Sequence, residues 1–233
     1  MSDVVRSDGR TPHQLRPVTF EVDVQRSALS SVMTTFGHTK VLTAVSVAEK
    51  TPAWREGQGW ITAEYAMLPG ASDNRINRDR NGVSSRSTEI ERLIGRSLRA
   101  GVDLARLPAV TLTIDCDVID ADGGTRTAAI TGAWVALARA LASLGTSEAI
   151  TAHIAAVSVG IVEGTCVLDL PYAEDVKADV DMNVVMTAAG GFVEVQGTAE
   201  GTVFAREELG VLLDLATAGV GELAGKQQAA IAT

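Results

Sequence analysis

The stretch that decides the fold is VTLTIDCDVIDADGGTRT, residues 110–127. Its first half alternates apolar and polar residues, which is the pattern of a β-strand with one buried face. Asp120-Ala-Asp-Gly-Gly124 interrupts the alternation as a turn, and the Ala-rich segment 125–144 predicts a long helix. The order strand, turn, helix places Thr125 and Arg126 at the start of that helix.

A helix start has unpaired backbone N–H groups and the positive end of the helix dipole, so it favours an anion. Gly123 and Gly124 let the backbone approach a ligand closely, and the Arg126 guanidinium matches phosphate oxygens. These residues therefore indicate a phosphate site. The alternative is an ordinary strand-to-helix turn with a Thr cap and a solvated Arg. The segment is not a P-loop, because the Gly-Lys-Ser/Thr ending is missing.

Outside this stretch the periodicity predicts an α+β fold with strands and helices in mixed order. A polar arm is expected over residues 1–16, and a capping box of Thr88 and Glu91 is expected to open a helix. A closing helix is predicted over residues 205–225. Strands are predicted at 18–22, 29–36, 40–48, 60–67 and 110–118, and as two hairpins at 154–162 with 165–170 and 182–187 with 192–196.

Length and composition predict one globular domain spanning residues 1–233, since 46% of the residues are hydrophobic and 21% charged. A net charge of −9 argues against a general nucleic-acid coat protein. Neither a signal segment nor an apolar run long enough to span a membrane is evident, so we expect a soluble, cytoplasmic protein. Cys116 and Cys166 are not expected to form a disulfide.

The positive charge is concentrated in one segment. Seven arginines lie between residues 75 and 99, and only Asp79, Glu89 and Glu91 oppose them. An acidic body with one arginine-rich segment indicates a localised anion site. The alternative is a solvated helix face with i,i+4 ion pairs.

Two acidic residues, Asp175 and Asp181, lie six positions apart around a predicted loop. Paired carboxylates can hold Mg²⁺ or divide acid and base roles between them. From spacing alone, two surface acids flanking a turn remain the alternative, because Glu174 and Asp179 are close by.

Several blocks in this order resemble the bacterial RNase PH family. The most specific are the 115–127 segment, the helix Glu89-Ile-Glu-Arg-Leu-Ile-Gly-Arg-Ser-Leu-Arg-Ala100 and Asp181-Met-Asn-Val-Val-Met186. Gly59 to Pro69 and Glu194 to Gly201 match further blocks, and the resemblance covers nearly the whole chain.

The resemblance implies an RNase PH-type fold with mixed sheets and a left-handed β-α-β crossover. It also implies a phosphate-dependent 3′→5′ exoribonuclease, or tRNA nucleotidyltransferase, that trims tRNA precursors, with rRNA as a second candidate, and releases nucleoside 5′-diphosphates. The reverse reaction would add nucleotides. The implied assembly is a homohexameric ring, a trimer of dimers. The alternative is a catalytically silent RNA-binding subunit of an exosome-like ring.

Carried over position by position, the resemblance assigns inorganic phosphate, the co-substrate, to Arg86, Gly124, Thr125 and Arg126. It assigns the acidic positions, with Mg²⁺, to Asp175 and Asp181. Contacts to RNA are expected from the arginine segment, at Arg75, Arg78, Arg80, Arg92, Arg96 and Arg99. Gly70 stands where the family commonly has an Arg, and the loop 71–85 is not a close match, which bears on RNA binding.

Overall fold

A computed structural model describes residues 6–55, 57–78, 84–201 and 203–233. The first sheet has five strands in the order β1, β2, β3, β5, β4. β4 and β5 are parallel and the other neighbours are antiparallel. These strands are β1 (Val18–Val22), β2 (Ser30–Phe36), β3 (Thr39–Ala48), β4 (Trp60–Met67) and β5 (Thr111–Asp120).

The second sheet comes from the second half of the chain and is antiparallel, in the order β7, β6, β8, β9. Its strands are β6 (Ile154–Val162), β7 (Thr165–Leu168), β8 (Val180–Thr187) and β9 (Phe192–Ala199). The helices are α1 (Ser85–Arg99), α2 (Thr125–Ser143), the single turn α3 (Tyr172–Asp175) and α4 (Arg206–Ile231). The predicted α+β architecture and both predicted hairpins are confirmed.

Helix α2 is the central layer of the fold. It packs against β2 and β3 of the first sheet and against β6 of the second. Trp134, Leu137 and Leu141 on it are fully buried, and one hydrophobic cluster includes side chains of both sheets. An Ala-rich, nearly all-buried helix suits this place because small side chains let two sheets approach it.

Helix α1 connects β4 to its parallel neighbour β5, so it forms the β-α-β unit of the first sheet. The predicted capping box of Thr88 and Glu91 is wrong. The helix begins earlier, at Ser85, and the Ser84 hydroxyl accepts a hydrogen bond from the Ser87 N–H. The closing helix is also longer than predicted and ends at Ile231.

The predicted polar arm is folded against the protein. Within its described part, Arg6, Arg10 and Arg16 are each at most 8% exposed. Arg6 pairs with Glu174 and Arg16 with Asp169, both more than 150 residues away in the chain, whereas Arg10 pairs with nearby Asp8 and lies 3.6 Å from Asp169. Contacts with residues so far away in the chain give no signal within the segment itself. The sequence therefore predicted a solvated arm for this polar segment with three arginines.

Both cysteines are free thiols, as expected. In the part of the chain that the structure describes, no helix combines the length and the apolarity that a membrane crossing requires.

The packing of α2 on β2 predicts a large effect of one methyl group. A Cβ at Gly132 would lie 1.9 Å from the Thr34 Oγ1. We expect Gly132→Ala to lower the free energy of unfolding by about 1–3 kcal/mol, the usual cost of overpacking. Gly225→Ala, at an exposed position of α4, is the matched control, since its Cβ would meet nothing within 4 Å. It should be neutral or stabilising by up to ~1 kcal/mol. Equal urea midpoints for the two variants would contradict this account of the core.

Candidate active site

A cleft of about 600 Å³ opens where the β5–α2 turn faces the second sheet. All six residues predicted to handle phosphate or to act as paired acids line this one cleft. They are Arg86, Gly124, Thr125, Arg126, Asp175 and Asp181, and they come from α1, the turn, α2, α3 and β8. Residues separated by almost one hundred positions in the sequence therefore meet in one place.

The turn has a backbone conformation that suits glycine. Gly123 and Gly124 have φ values of 70° and 64°, in the left-handed region that other residues seldom adopt. A Cβ on Gly123 would also lie 2.6 Å from the carbonyl oxygen of Leu170. The two glycines thus allow the turn to pack directly on the segment that leads into α3.

Helix α2 begins at Thr125 without a side-chain cap at Gly124. In the described residues, the N–H groups of Gly124, Thr125 and Arg126 have no backbone or side-chain acceptor. Uncapped donors at a helix start that lines a cleft are suited to bind an oxyanion. Beside them, the Tyr65 hydroxyl donates to the Thr125 Oγ1 over 2.9 Å and fixes that side chain.

The two arginines predicted to contact phosphate approach from different helices. Arg126 lies in the first turn of α2, and its Nη2 is 3.3 Å from the Glu89 Oε2 of α1. Its Nε is buried without a hydrogen-bond partner among the described residues. Arg86 is exposed in the first turn of α1, one residue inside the helix rather than before it. Both guanidinium groups keep donors that can turn to an anion.

The two acids approach from the second sheet. Asp181 lies on β8 opposite Gly160 of β6, and Asp175 ends the single turn α3. Asn183 and Ser158 are paired across the same two strands and also line the cleft. The cleft therefore brings cationic and N–H donors together with the carboxylates of Asp175 and Asp181, and Asp73, Asp120 and Asp122 also line it.

Burial, and secondarily the Asp175 carboxylate, raise the pKa of Asp181 to about 6, although Arg126 acts in the opposite direction. Burial also raises the pKa of Asp175, against the nearby guanidinium groups of Arg126, Arg86 and Arg16. The carboxyl group of Asp181 is thus poised to exchange a proton near neutral pH, which is the property of a general acid or base.

No group of three or more His, Cys, Asp or Glu side chains suited to a metal exists among the described residues. The two carboxylates in the cleft nevertheless fit Mg²⁺, because this ion usually takes one or two protein carboxylates and completes its shell with water and phosphate oxygens. The Asp175 carboxylate raises the pKa of Asp181, and a bound cation relieves this kind of like-charge repulsion.

The predicted RNA-binding arginines have different surroundings. Arg75, Arg78 and Arg92 are exposed and make no ion pair with any described residue, whereas Arg80 lies outside the described residues. Arg96 forms an ion pair with Glu194 of β9 at 2.9 Å. Arg99 stacks over the Trp60 ring at 4.5 Å and donates to the carbonyl of Ile61. The last two are thus already engaged within the protein.

Sequence reasoning missed the residues behind the turn. Arg16, Thr39 and Tyr65 all contact residues 122–125, yet only Arg16 stood out in the sequence, as part of the arm. The available signal was three arginines in a short segment with only Asp3 and Asp8 as nearby acids. If such a segment packs against an acidic protein, its arginines can pair with carboxylates from distant parts of the chain.

Family models of the 3′ exoribonuclease family match two parts of the chain, domain 1 at residues 14–143 and domain 2 at residues 152–219. Ribonuclease PH of Frankia casuarinae is 54% identical over 232 residues, which cover 98% of this chain and 94% of that protein. The chain belongs to the RNase PH family. Ribonuclease PH of Mycobacterium bovis is 52% identical over 97% of this chain and 92% of its own length. The resemblance inferred from the sequence is confirmed, and with it the prediction of a phosphorolytic 3′→5′ exoribonuclease.

Solved structures confirm the RNase PH-type fold. Rice Rrp46 matches with a TM-score of 0.80 at 20% identity, over 97% of this chain and all of that one. A chain of the Archaeoglobus fulgidus exosome with RNA bound to the active site matches with a TM-score of 0.80 at 21% identity, over 95% of this chain and 92% of that one. Helix α2 between two sheets is therefore the arrangement of the RNase PH fold.

The raised pKa of Asp181 predicts a pH-dependent cost to stability. Between about pH 4 and pH 6 the folded protein keeps Asp181 protonated while the unfolded chain ionises, so stability falls as the pH rises and then stays lower. Asp181→Asn removes the charge that must be buried. We expect the free energy of unfolding of this variant to equal that of the parent at pH 4. At pH 8 it should be higher by about 1–2 kcal/mol, after allowance for the partial solvent access of the side chain.

Urea unfolding of the RNA-free and metal-free protein at both pH values measures this difference. Asp179→Asn is the control, because Asp179 is exposed two residues away and should leave stability unchanged at both pH values. If Asp181→Asn has a lower free energy of unfolding than the parent at pH 8, the ionised carboxylate stabilises the folded protein, and this account of its burial is wrong.

Proposed function

We propose that this chain uses the cleft to remove nucleotides one at a time from the 3′ ends of tRNA precursors, with rRNA as a second substrate, by transferring each to inorganic phosphate. The observation that carries the proposal is the convergence in one cleft of an uncapped helix start, two guanidinium groups and two acids with raised pKa values. The family relationship supplies the reaction class.

In this proposal phosphate occupies the start of α2. Its oxygens accept hydrogen bonds from the backbone N–H groups of 124–126, from the Thr125 hydroxyl and from the guanidinium groups of Arg126 and Arg86. One phosphate oxygen attacks the phosphorus of the last phosphodiester bond. A new P–O–P linkage forms, the bond from phosphorus to the 3′ oxygen of the preceding residue breaks, and a nucleoside 5′-diphosphate leaves. Positioning and charge neutralisation by these donors supply most of the catalysis.

The leaving 3′ oxygen requires a proton. Asp181 is the proposed donor, since its pKa of about 6 keeps a protonated fraction near neutral pH. Asp175 would hold Mg²⁺, joined by Asp181 when that carboxyl group is ionised, and the ion when bound would neutralise negative charge on the reacting phosphates. Because the two carboxylates are coupled, the proton belongs to the pair, and Asp175 can share the role of donor.

RNA would reach the cleft across the exposed arginines. Arg75, Arg78 and Arg92 have free guanidinium groups in the described structure, and we propose that Arg80 joins them in holding backbone phosphates. Arg96 and Arg99 would contact RNA only by exchanging their present partners.

We propose a homohexameric ring, a trimer of dimers, as the working assembly. Several basic segments facing one opening would add their contacts on a single tRNA, which an acidic monomer with one such segment cannot do. The edge strand β9 exposes about half of Phe192 and of Val195, as a strand that contacts another subunit would. We also propose that residues 1–233 act as one domain, because one hydrophobic cluster of the described residues includes side chains of both sheets. We place the protein in the cytoplasm, together with its proposed RNA substrates.

A catalytically silent ring subunit is the second candidate. It would need RNA contacts but neither the phosphate donors nor the acids. The burial of Asp181 disfavours it, because a carboxyl group held at a cost in free energy is retained more readily for chemistry than for structure.

The test is incubation with a tRNA bearing extra 3′ nucleotides, with and without inorganic phosphate. We expect nucleoside 5′-diphosphates only when phosphate is present. Asp181→Asn should be slower by ~10²-fold or more while still binding the tRNA, as for loss of a positioned acid or metal ligand. Release of nucleoside monophosphates in the absence of phosphate would show that the reaction is hydrolysis and not phosphorolysis. A parent protein that binds tRNA but releases no nucleotide would favour the silent subunit.

Removal of the Arg126 guanidinium should slow phosphorolysis strongly. The loss of one charge-assisted donor to the attacking group costs about 2–4 kcal/mol in the transition state, so Arg126→Ala should lose ~10²-fold in rate. Arg106→Ala is the matched control, because Arg106 lies exposed at the opposite end of β5 from the turn and should behave as the parent. Normal turnover by Arg126→Ala at saturating phosphate would rule out its role in the transition state.

A further inference from the structure

The most buried ionic contact of the protein lies directly behind the phosphate-binding turn. Asp169 is fully buried and has a φ of 56°, a conformation that costs free energy outside glycine. The Asp169 carboxylate accepts three hydrogen bonds from Arg16: from the backbone N–H at 2.8 Å, from Nε at 3.0 Å and from Nη2 at 2.7 Å. This fork-to-fork contact fixes the direction of the guanidinium plane.

The far edge of the same guanidinium reaches the turn. Arg16 Nη1 donates to the carbonyl oxygen of Asp122, and Nη2 lies 3.4 Å from the carbonyl oxygen of Gly123. The space for this side chain is left by glycines on both sides. A Cβ on Gly37 would lie 2.7 Å from the Arg16 Cδ, and one on Gly124 would lie 3.1 Å from its Nη2.

A second residue holds the same turn from β3. The Thr39 hydroxyl donates to the carbonyl oxygen of Gly123 at 2.7 Å and accepts from the N–H of Asp122 at 2.9 Å. Thr39 is fully buried, so its hydroxyl is committed to these two bonds. Arg16 and Thr39 therefore bind the carbonyl side of the turn and leave the N–H groups of the following residues without acceptors.

We propose that Arg16 and Thr39 are positioning residues for phosphate: anchored by Asp169 and by β3, they hold the carbonyl groups of residues 122 and 123 away from the cleft, so that the N–H groups of residues 124–126 face the incoming anion. A peptide plane that rotated would present a carbonyl oxygen to phosphate and repel it. Both side chains touch the turn and not the cleft opening, so they act through the turn.

This inference rests on the proposed function, because it deepens the description of the same site. It predicts a selective effect, since a loosened turn weakens the phosphate site while the exposed arginines for RNA are untouched. The KM for phosphate should rise much more than kcat falls, and the affinity for tRNA should stay unchanged.

The experiment is phosphorolysis of a short RNA with saturating RNA and varied phosphate, for Arg16→Lys and Thr39→Val. Lysine keeps the charge opposite Asp169 but cannot reach both the carboxylate and the two carbonyl groups. Valine keeps the shape of Thr39, removes its hydroxyl and leaves the arm intact, so it remains informative if the Arg16 variant folds poorly. Each should raise the KM for phosphate by about 10-fold, the usual effect of one lost hydrogen bond on a site it positions, with kcat lowered by less than ~3-fold.

Arg10→Lys is the matched control. Arg10 is buried in the same arm, with its Nη1 3.6 Å from the Asp169 carboxylate, but no contact joins it to residues 122–124. It should lower the urea midpoint without changing the KM for phosphate. An equal rise in KM for Arg10→Lys and Arg16→Lys, or an unchanged KM for Arg16→Lys and Thr39→Val, would overturn the proposal. A parent protein without phosphate-dependent activity would instead refute the proposed function itself.

Discussion

The buried ion pair of Arg16 with Asp169 is the contact on which the site depends. It joins a segment that precedes the first strand to the segment that follows β7, and it lies behind the β5–α2 turn. Transfer of two charges from water costs several kcal/mol each, and only close geometry and further hydrogen bonds offset that cost. Asp169 has both, because its carboxylate accepts three hydrogen bonds from Arg16 alone. A pair of this kind adds little net stability, but it permits one orientation of the turn.

The same principle governs the charges inside the cleft. The proposed donors for phosphate are the uncapped N–H groups at the start of α2 and the guanidinium nitrogens of α1 and α2, and the two proposed acids come from α3 and β8. Burial raises the pKa of both Asp175 and Asp181, and the pKa of Asp181, about 6, leaves a protonated fraction of this carboxyl group near neutral pH. The protein is acidic overall, with 20 Lys and Arg against 29 Asp and Glu, so we expect its positive charge to act locally, at this cleft and at the exposed arginines.

Much of the fold could be predicted from local sequence signals. The alternation in β5, the Ala-rich run of α2 and the glycines around both hairpins each depend on neighbours within a few residues. The gathering of Arg86, Thr125, Asp175 and Asp181 came from the family resemblance, because spacing alone did not separate Asp175 and Asp181 from surface acids. The burial of Arg16 and the partner of Arg96 could not be predicted, since Asp169 and Glu194 lie 153 and 98 positions away. The start of α1 was misplaced because serine and threonine are both suited to the N-cap position, and the structure uses Ser84 rather than Thr88.

The central claim is that the N–H groups at the start of α2 bind the phosphate that attacks RNA. Titration of inorganic phosphate into the RNA-free protein, followed by the backbone amide resonances of ¹⁵N-labelled chain, tests it most directly. We expect the largest and saturable shifts at Gly124, Thr125 and Arg126, with α4, which does not line the cleft, unaffected. Saturable shifts confined to other residues, with these three amides unchanged at phosphate concentrations that support turnover, would contradict it.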